Sequence, residues 1–75
     1  MAQDKFTIGN QIRALRFAAD EMTQQALADR VGVSRQTINA IEAAKYSPSL
    51  VVAFRIAGVF GKRLEEVFEC LPSPR

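Results

Sequence analysis

Arg35, Gln36 and Asn39 lie close together in the chain, and each carries a side chain able to make two hydrogen bonds at once to a nucleic-acid base edge. Arginine matches the paired acceptors of guanine, and glutamine or asparagine matches the donor and acceptor of adenine. Bond-making chemistry has no comparable constellation. The chain has no histidine, so histidine-based acid–base groups, triads and metal sites do not arise. Its single cysteine, Cys70, rules out a thiolate zinc cluster and an internal disulfide, and reads as an inert thiol rather than a reactive one. Glu65, Glu66 and Glu69 fit a solvated helix surface. No glycine-rich phosphate loop is present. The expectation is a binding protein that is not an enzyme and needs no cofactor or metal.

Those three residues need a helix to present them, and the sequence supplies one with its supports. Ile8, Ile12, Leu15 and Ala19 recur at helical spacing and predict a first helix capped by Thr7. Thr23 is a good cap for a second helix running to about Val31, and Gly32 suits the left-handed residue after its end. Ser34 caps a third helix that runs to about Ala44. Ser47 as cap with Pro48 at the first helical position predicts a fourth helix to about Phe60, stopped by Gly61. Leu64, Val67, Phe68 and Leu71 predict a short fifth helix ended by Pro72. No strand pattern is visible, so the expected class is all-α. Residues 1–7 and 72–75 read as tails, the latter frayed, around one domain over 8–71.

The turn at Gly32 is short, so the second and third helices cross steeply and leave one side of the third exposed. Ala28 is small enough to permit their close approach. At 100° per residue, Ser34, Ile38, Ile41 and Lys45 share one face of the third helix. Gln36, Asn39, Ala40 and Ala43 share the other, with Arg35 beside them at the start. A helix with that face outward fits the DNA major groove. Glu42 falls near the inner face beside Ile38, and Arg16 near the inner face of the first helix beside Ile12. Each is costly to bury alone, so pairing them is the economical solution.

The stretches MTQQALADRVGVSRQTINAIE and KYSPSL resemble the Xre/Cro family of helix-turn-helix regulators, above all its short single-domain members. The likeness runs from about Ile12 to Phe68, with the helix-turn-helix at about 23–44. It implies a compact five-helix Cro/repressor-like domain that binds operator DNA with its third helix. By position, it implies base reading by Arg35, Gln36, Asn39 and Ala40, with Ala40 against a thymine methyl. It implies backbone contacts from Thr23, Gln24, Ser34, Lys45 and Tyr46. The family has an Arg–Glu pair where Arg16 and Glu42 stand, and its role is structural. Ala43 and Ala44 replace the polar residue and glycine usual after the glutamate, so a longer third helix is expected. The loop from Phe17 to Glu21 is one residue longer than usual and lacks its common glycine. Lys62 and Arg63 replace more apolar residues and read as solvated.

Composition agrees with this outline. The chain has 75 residues and 48% apolar content, enough for one small folded domain. Net charge is +2. Between Val31 and Arg63, Glu42 is the only acid among Arg35, Lys45, Arg55, Lys62 and Arg63. An electropositive middle suits DNA, and a mixed solvated surface explains it equally well. The start of the chain has no signal-peptide pattern and no apolar run spans a bilayer, so a cytoplasmic protein, nucleoid-associated when bound, is expected.

The fourth helix is apolar nearly all round: Leu50, Ala53, Phe54 and Ala57 on one face, Val52 and Val59 on the other. Either the fifth helix covers it within the monomer, or the fourth and fifth helices build a homodimer. One recognition helix reads few base pairs, which favours a dimer on a near-palindromic operator and repression by exclusion of polymerase. Two alternatives stand beside a repressor: an antitoxin that also clamps a toxin protein, and a protein-interaction domain of the same fold.

Overall fold

Ile12, Leu27, Ala28, Val31, Ile38, Ile41, Ile56, Ala57 and Val67 close one core, each at most 2% exposed. They belong to five helices that a computed structural model, describing residues 6–72, places in the order expected. The helices are α1 (Ile12–Ala18), α2 (Gln24–Val31), α3 (Arg35–Glu42), α4 (Leu50–Phe60) and α5 (Leu64–Val67). Leu15, Met22, Val33, Val52, Val59, Phe60 and Phe68 pack round the rim of this core.

The helix boundaries follow local chemistry. Thr23 accepts a hydrogen bond from the Ala26 amide at 3.0 Å, and Ser34 one from the Thr37 amide at 3.1 Å. Each satisfies a donor that helical geometry leaves free. Gly32 ends α2 at φ 86°, and the Gly32 and Val33 amides both donate to the Ala28 carbonyl. That pairing turns the chain sharply, so α3 starts only after Gly32, Val33 and Ser34.

Three expectations need correction. First, the domain is not purely helical: β1 (Phe6–Asn10) pairs antiparallel with β2 (Phe68–Pro72), with Ile8 opposite Cys70 and Asn10 opposite Phe68. Ile8 and Phe68 therefore lie in strands, and α1 begins at Ile12 without Thr7 as its cap. A separation of four residues, as between Ile8 and Ile12, fits a helix turn and a strand alternation alike. Leu71 sits opposite Thr7 and leans over Gly9, where an added Cβ would meet Leu71 Cδ1 at 2.8 Å. Gly9 thus allows the two strands to keep their apolar contact. Phe6, Thr7 and Pro72 are strand residues rather than tail; the remaining tail positions, 1–5 and 73–75, lie outside the described residues.

Second, α4 is capped by Ser49, whose Oγ accepts from the Val52 amide at 3.2 Å, and Pro48 belongs to the connector. Serines flank Pro48 on both sides, and the distance to be crossed from α3 decides between them. Third, α3 does not run on. Ala44 adopts φ 60°, and the Lys45 amide donates to the Ala40 carbonyl at 2.9 Å. Alanine takes the left-handed turn that glycine usually makes, at a conformational cost of about 1–2 kcal/mol. Asp20 and Glu21 take similar values, φ 63° and 57°, in the longer loop after α1.

A direct check of the start of α4 follows. Ser49→Ala should lower the unfolding free energy by about 1 kcal/mol in a urea titration, whereas Ser47→Ala should leave the midpoint unchanged. The reverse ranking would return the cap to Ser47.

Candidate nucleic-acid interface

The outward side of α3 is built from its inner side. Ile38 and Ile41 are buried, and this rotates Arg35, Gln36 and Asn39 into solvent, with Ala40 half-buried between. Among the described residues Arg35 and Lys45 make no ion pair, so both cations stay available to an anionic partner. Arg63, by contrast, donates to Glu65 at 2.7 Å. No carboxylate stands on the exposed face of α3. The acid within the helix, Glu42, is turned inward.

Glu42 meets Arg16 there. The Arg16 Nε donates to Glu42 Oε2 at 2.7 Å and Nη2 to Oε1 at 3.1 Å, a two-pronged pair. Both side chains are about one-tenth exposed, at 10% and 11%. The remaining Arg16 nitrogen, Nη1, donates to the Met22 carbonyl at 2.7 Å. The guanidinium therefore ties α1 to α3 and also closes the loop that holds Asp20 and Glu21. Its Cζ lies over the Phe17 ring, 5.9 Å from the centroid. Asn10 makes a second tie: its Nδ2 donates to the Ile41 carbonyl at 2.9 Å while its Oδ1 accepts from the Ile12 amide at 3.1 Å. That capping role belongs to a residue the sequence had placed inside a helix, so helical spacing hid it.

Gln24 extends the network to the surface. Its Nε2 lies 3.2 Å from Glu42 Oε1 and 3.2 Å from Asn39 Oδ1. A carboxylate oxygen only accepts, so the Gln24 NH₂ group must face Glu42. The same NH₂ group then requires Asn39 to face it with oxygen. Asn39 is left presenting its Nδ2 donor outward. Oδ1 keeps a second lone pair, so Asn39 can still pair its oxygen and its Nδ2 with an adenine edge while Gln24 holds its orientation. The side chain of Gln24 is thus held between α2 and α3, and its Oε1 is the atom turned away from them.

The other expected backbone contacts sit around this centre. Thr23 and Ser34 are exposed helix caps, and their oxygens already accept from Ala26 and Thr37. Ser34 Oγ also shares a 2.9 Å hydrogen bond with Thr37 Oγ1. Lys45 and Tyr46 are exposed in the connector just after α3, where the turn at Ala44 brings them back beside Ala40. Arg35, Gln36, Asn39, Ala40, Lys45 and Tyr46 thereby share one surface, with Gln24 at its edge.

Removing one member of the buried pair leaves the other charge unmatched. Glu42→Ala or Arg16→Ala should each lower the unfolding free energy by about 3–5 kcal/mol in chemical denaturation. Replacing both by methionine should recover most of that loss. A double variant as unstable as either single one would show that the pair stabilises the fold by its own attraction.

Comparison with known proteins agrees with this geometry. A family model described as helix-turn-helix matches residues 12–67. The uncharacterized HTH-type transcriptional regulator MJ0272 of Methanocaldococcus jannaschii is 55% identical over 51 residues, which cover 68% of this chain and 77% of that protein. The uncharacterized HTH-type transcriptional regulator YgzD of Bacillus subtilis is 42% identical over 59 residues, 79% of this chain and 88% of its own. The crystal structure of the transcriptional regulator VanUg superposes with a TM-score of 0.76 over 97% of this chain and 96% of that one. At 22% identity this likeness speaks for the fold alone. With the helix-turn-helix model and these relatives covering the segment that carries the exposed α3 face, the chain belongs to the Xre/Cro-type helix-turn-helix family of transcriptional regulators.

Proposed function

We propose that this regulator is a repressor that binds a near-palindromic operator as a homodimer, each copy laying α3 in the major groove. The observation that carries the reading is the acid-free outer face of α3, with Arg35, Gln36 and Asn39 exposed on a helix whose inner side is locked by Ile38, Ile41 and the Arg16–Glu42 pair. In this arrangement Arg35 and Gln36 read base edges, and Asn39 offers its Nδ2 donor to an acceptor beside them. Ala40 contributes carbon surface. Thr23, Gln24, Ser34 and Lys45 set the register along the phosphates, helped by the amides at the start of α2, which helical geometry leaves free. Such phosphate contacts carry affinity without sequence information.

The homodimer part rests on α4. Leu50, Val51 and Phe54 are 65%, 58% and 56% exposed, while Ala53, Ile56 and Ala57 face the core. α5 is short and covers the inner side only, so the outer apolar face of α4 stays open. The reading requires a second copy on that face to set the two α3 helices on successive major grooves, about 34 Å apart. The bound protein would work in the cytoplasm, on the nucleoid.

Selection from a random duplex library at about 100 mM salt tests the reading, because that salt suppresses non-specific phosphate binding. The expected product is an inverted repeat with half-sites about 10 base pairs apart. Arg35→Ala should then cost about 1–3 kcal/mol of operator binding and relax the preference at one base pair per half-site. Unchanged discrimination would remove Arg35 from base reading. Phe54→Glu should give a monomer in sedimentation and weaken operator binding without altering the preferred half-site. Enrichment of no sequence, together with a stable co-purifying protein, would favour the antitoxin or interaction-domain reading instead.

A further inference from the structure

A notch opens on the exposed side of α3, walled by Gln36, Thr37 and Ala40 and, from the connector, by Tyr46. Its volume is about 240 Å³ and its lining is mostly carbon. This sets it apart from the rest of the face, where Arg35, Gln36 and Asn39 offer donors and acceptors. Tyr46, 54% exposed, brings an aromatic ring beside a helix face otherwise dressed for hydrogen bonding. The backbone brings this residue beside α3. The left-handed Ala44 turns the chain, and the Lys45 amide is bonded to the Ala40 carbonyl at 2.9 Å. The residue before Tyr46 is thus tied to the residue that forms the floor of the notch.

The chemistry of the notch limits what it can take. A phosphate oxygen or a base acceptor gains little from an alanine methyl and an aromatic face. The major groove displays one apolar group, the 5-methyl of thymine. Resting on the operator-binding reading above, we propose that Tyr46 and Ala40 form a methyl-binding notch that selects thymine at one position of each half-site. Tyr46 then acts on specificity through its ring. Its hydroxyl, which a phosphate would use, is dispensable. Gln36 serves two purposes, a hydrogen-bonding amide at its tip and a carbon stem that closes the near side of the notch.

Deoxyuridine tests this cleanly, because it removes only the methyl and keeps the hydrogen-bonding edge of the base. The full chain is titrated against its selected operator and against duplexes with single thymines replaced by deoxyuridine. A single replacement in one half-site should weaken binding about four-fold, the worth of one buried methyl. Tyr46→Phe should keep that ratio, and Tyr46→Ala should bring it close to one. Tyr46 is exposed, and an unchanged melting curve for both variants confirms that the fold is intact. Sensitivity at no thymine, with tight operator binding retained, overturns the notch and leaves the operator reading standing. So does a ratio unchanged in Tyr46→Ala. Uniform weakening of all duplexes by Tyr46→Phe, with a shallower salt dependence, assigns Tyr46 to a phosphate and overturns the proposal as well. If selection enriches no duplex, the operator reading falls and the notch falls with it.

Discussion

The orientation of α3 depends on one buried contact, the clasp between Arg16 and Glu42. A carboxylate and a guanidinium are each expensive to hold away from water, and neither is stable there without the other. The clasp therefore fixes where α1 and α3 can stand. Because Arg16 uses its third nitrogen on the Met22 carbonyl, the same contact also fixes the loop that delivers Thr23 to the start of α2. Gln24 then reaches back from α2 to the same carboxylate and to Asn39. One ionic pair thus coordinates three helices and passes through two side-chain amides to the exposed surface. A purely apolar core could hold these helices together with equal strength. It could not dictate which atom of Asn39 faces outward.

Turns complete what the clasp begins. Between α2 and α3 the chain has Gly32, Val33 and Ser34 in which to reverse, and the left-handed glycine does this at no steric cost. After α3 the same geometry is imposed on Ala44, which pays a penalty that glycine would not. The gain is positional: the chain folds back at once, so Lys45 and Tyr46 stand beside Ala40 and do not trail away from it. Asp20 and Glu21 carry comparable strain, held in place by the Arg16 bond to Met22. Strained turns of this kind persist only where surrounding contacts over-determine them. Here the contacts on either side are the ones that shape the exposed face.

The helices were legible in the sequence because their signals are local. Thr23, Ser34, Gly32 and Gly61 mark ends that the structure places within a residue of the expected positions, and Ile38 and Ile41 identify the inner face of α3 without help from elsewhere. The strands were not legible, because Phe6–Asn10 and Phe68–Pro72 define each other only by pairing across almost the whole chain. Each alone presents a few apolar residues whose spacing also suits a helix. The end of α3 is hidden from the sequence for a related reason. Alanine prefers to continue a helix, and the turn at Ala44 is imposed by the path to Ser49 and not by its own preference. Ser47 and Ser49 are equivalent as caps when judged locally, and only the span of the connector separates them. The tether from Gln24 to Asn39 joins residues on different helices and becomes visible only when both are in place.

The division of labour on the exposed face follows from these constraints. Side chains that discriminate between bases must be held to within fractions of an ångström, while groups that attract phosphates tolerate freedom. Asn39 is joined to the clasp through Gln24, which bonds both Glu42 and Asn39. Arg35 lies at the start of the helix, where the Ser34 cap rather than the clasp restrains it. Lys45 lies beyond its end, with a flexible stem suited to a diffuse anionic target. The gradient from fixed centre to mobile rim is the arrangement expected where shape and hydrogen-bond direction give selectivity and charge gives attraction. A domain with a core this small has few ways to stiffen a surface, because it cannot stack further layers behind it. The Arg16–Glu42 pair ties α3 to α1 from the inner side and so stiffens the exposed face from within, and this accounts for a salt bridge in a core otherwise made of isoleucine, leucine, valine and alanine.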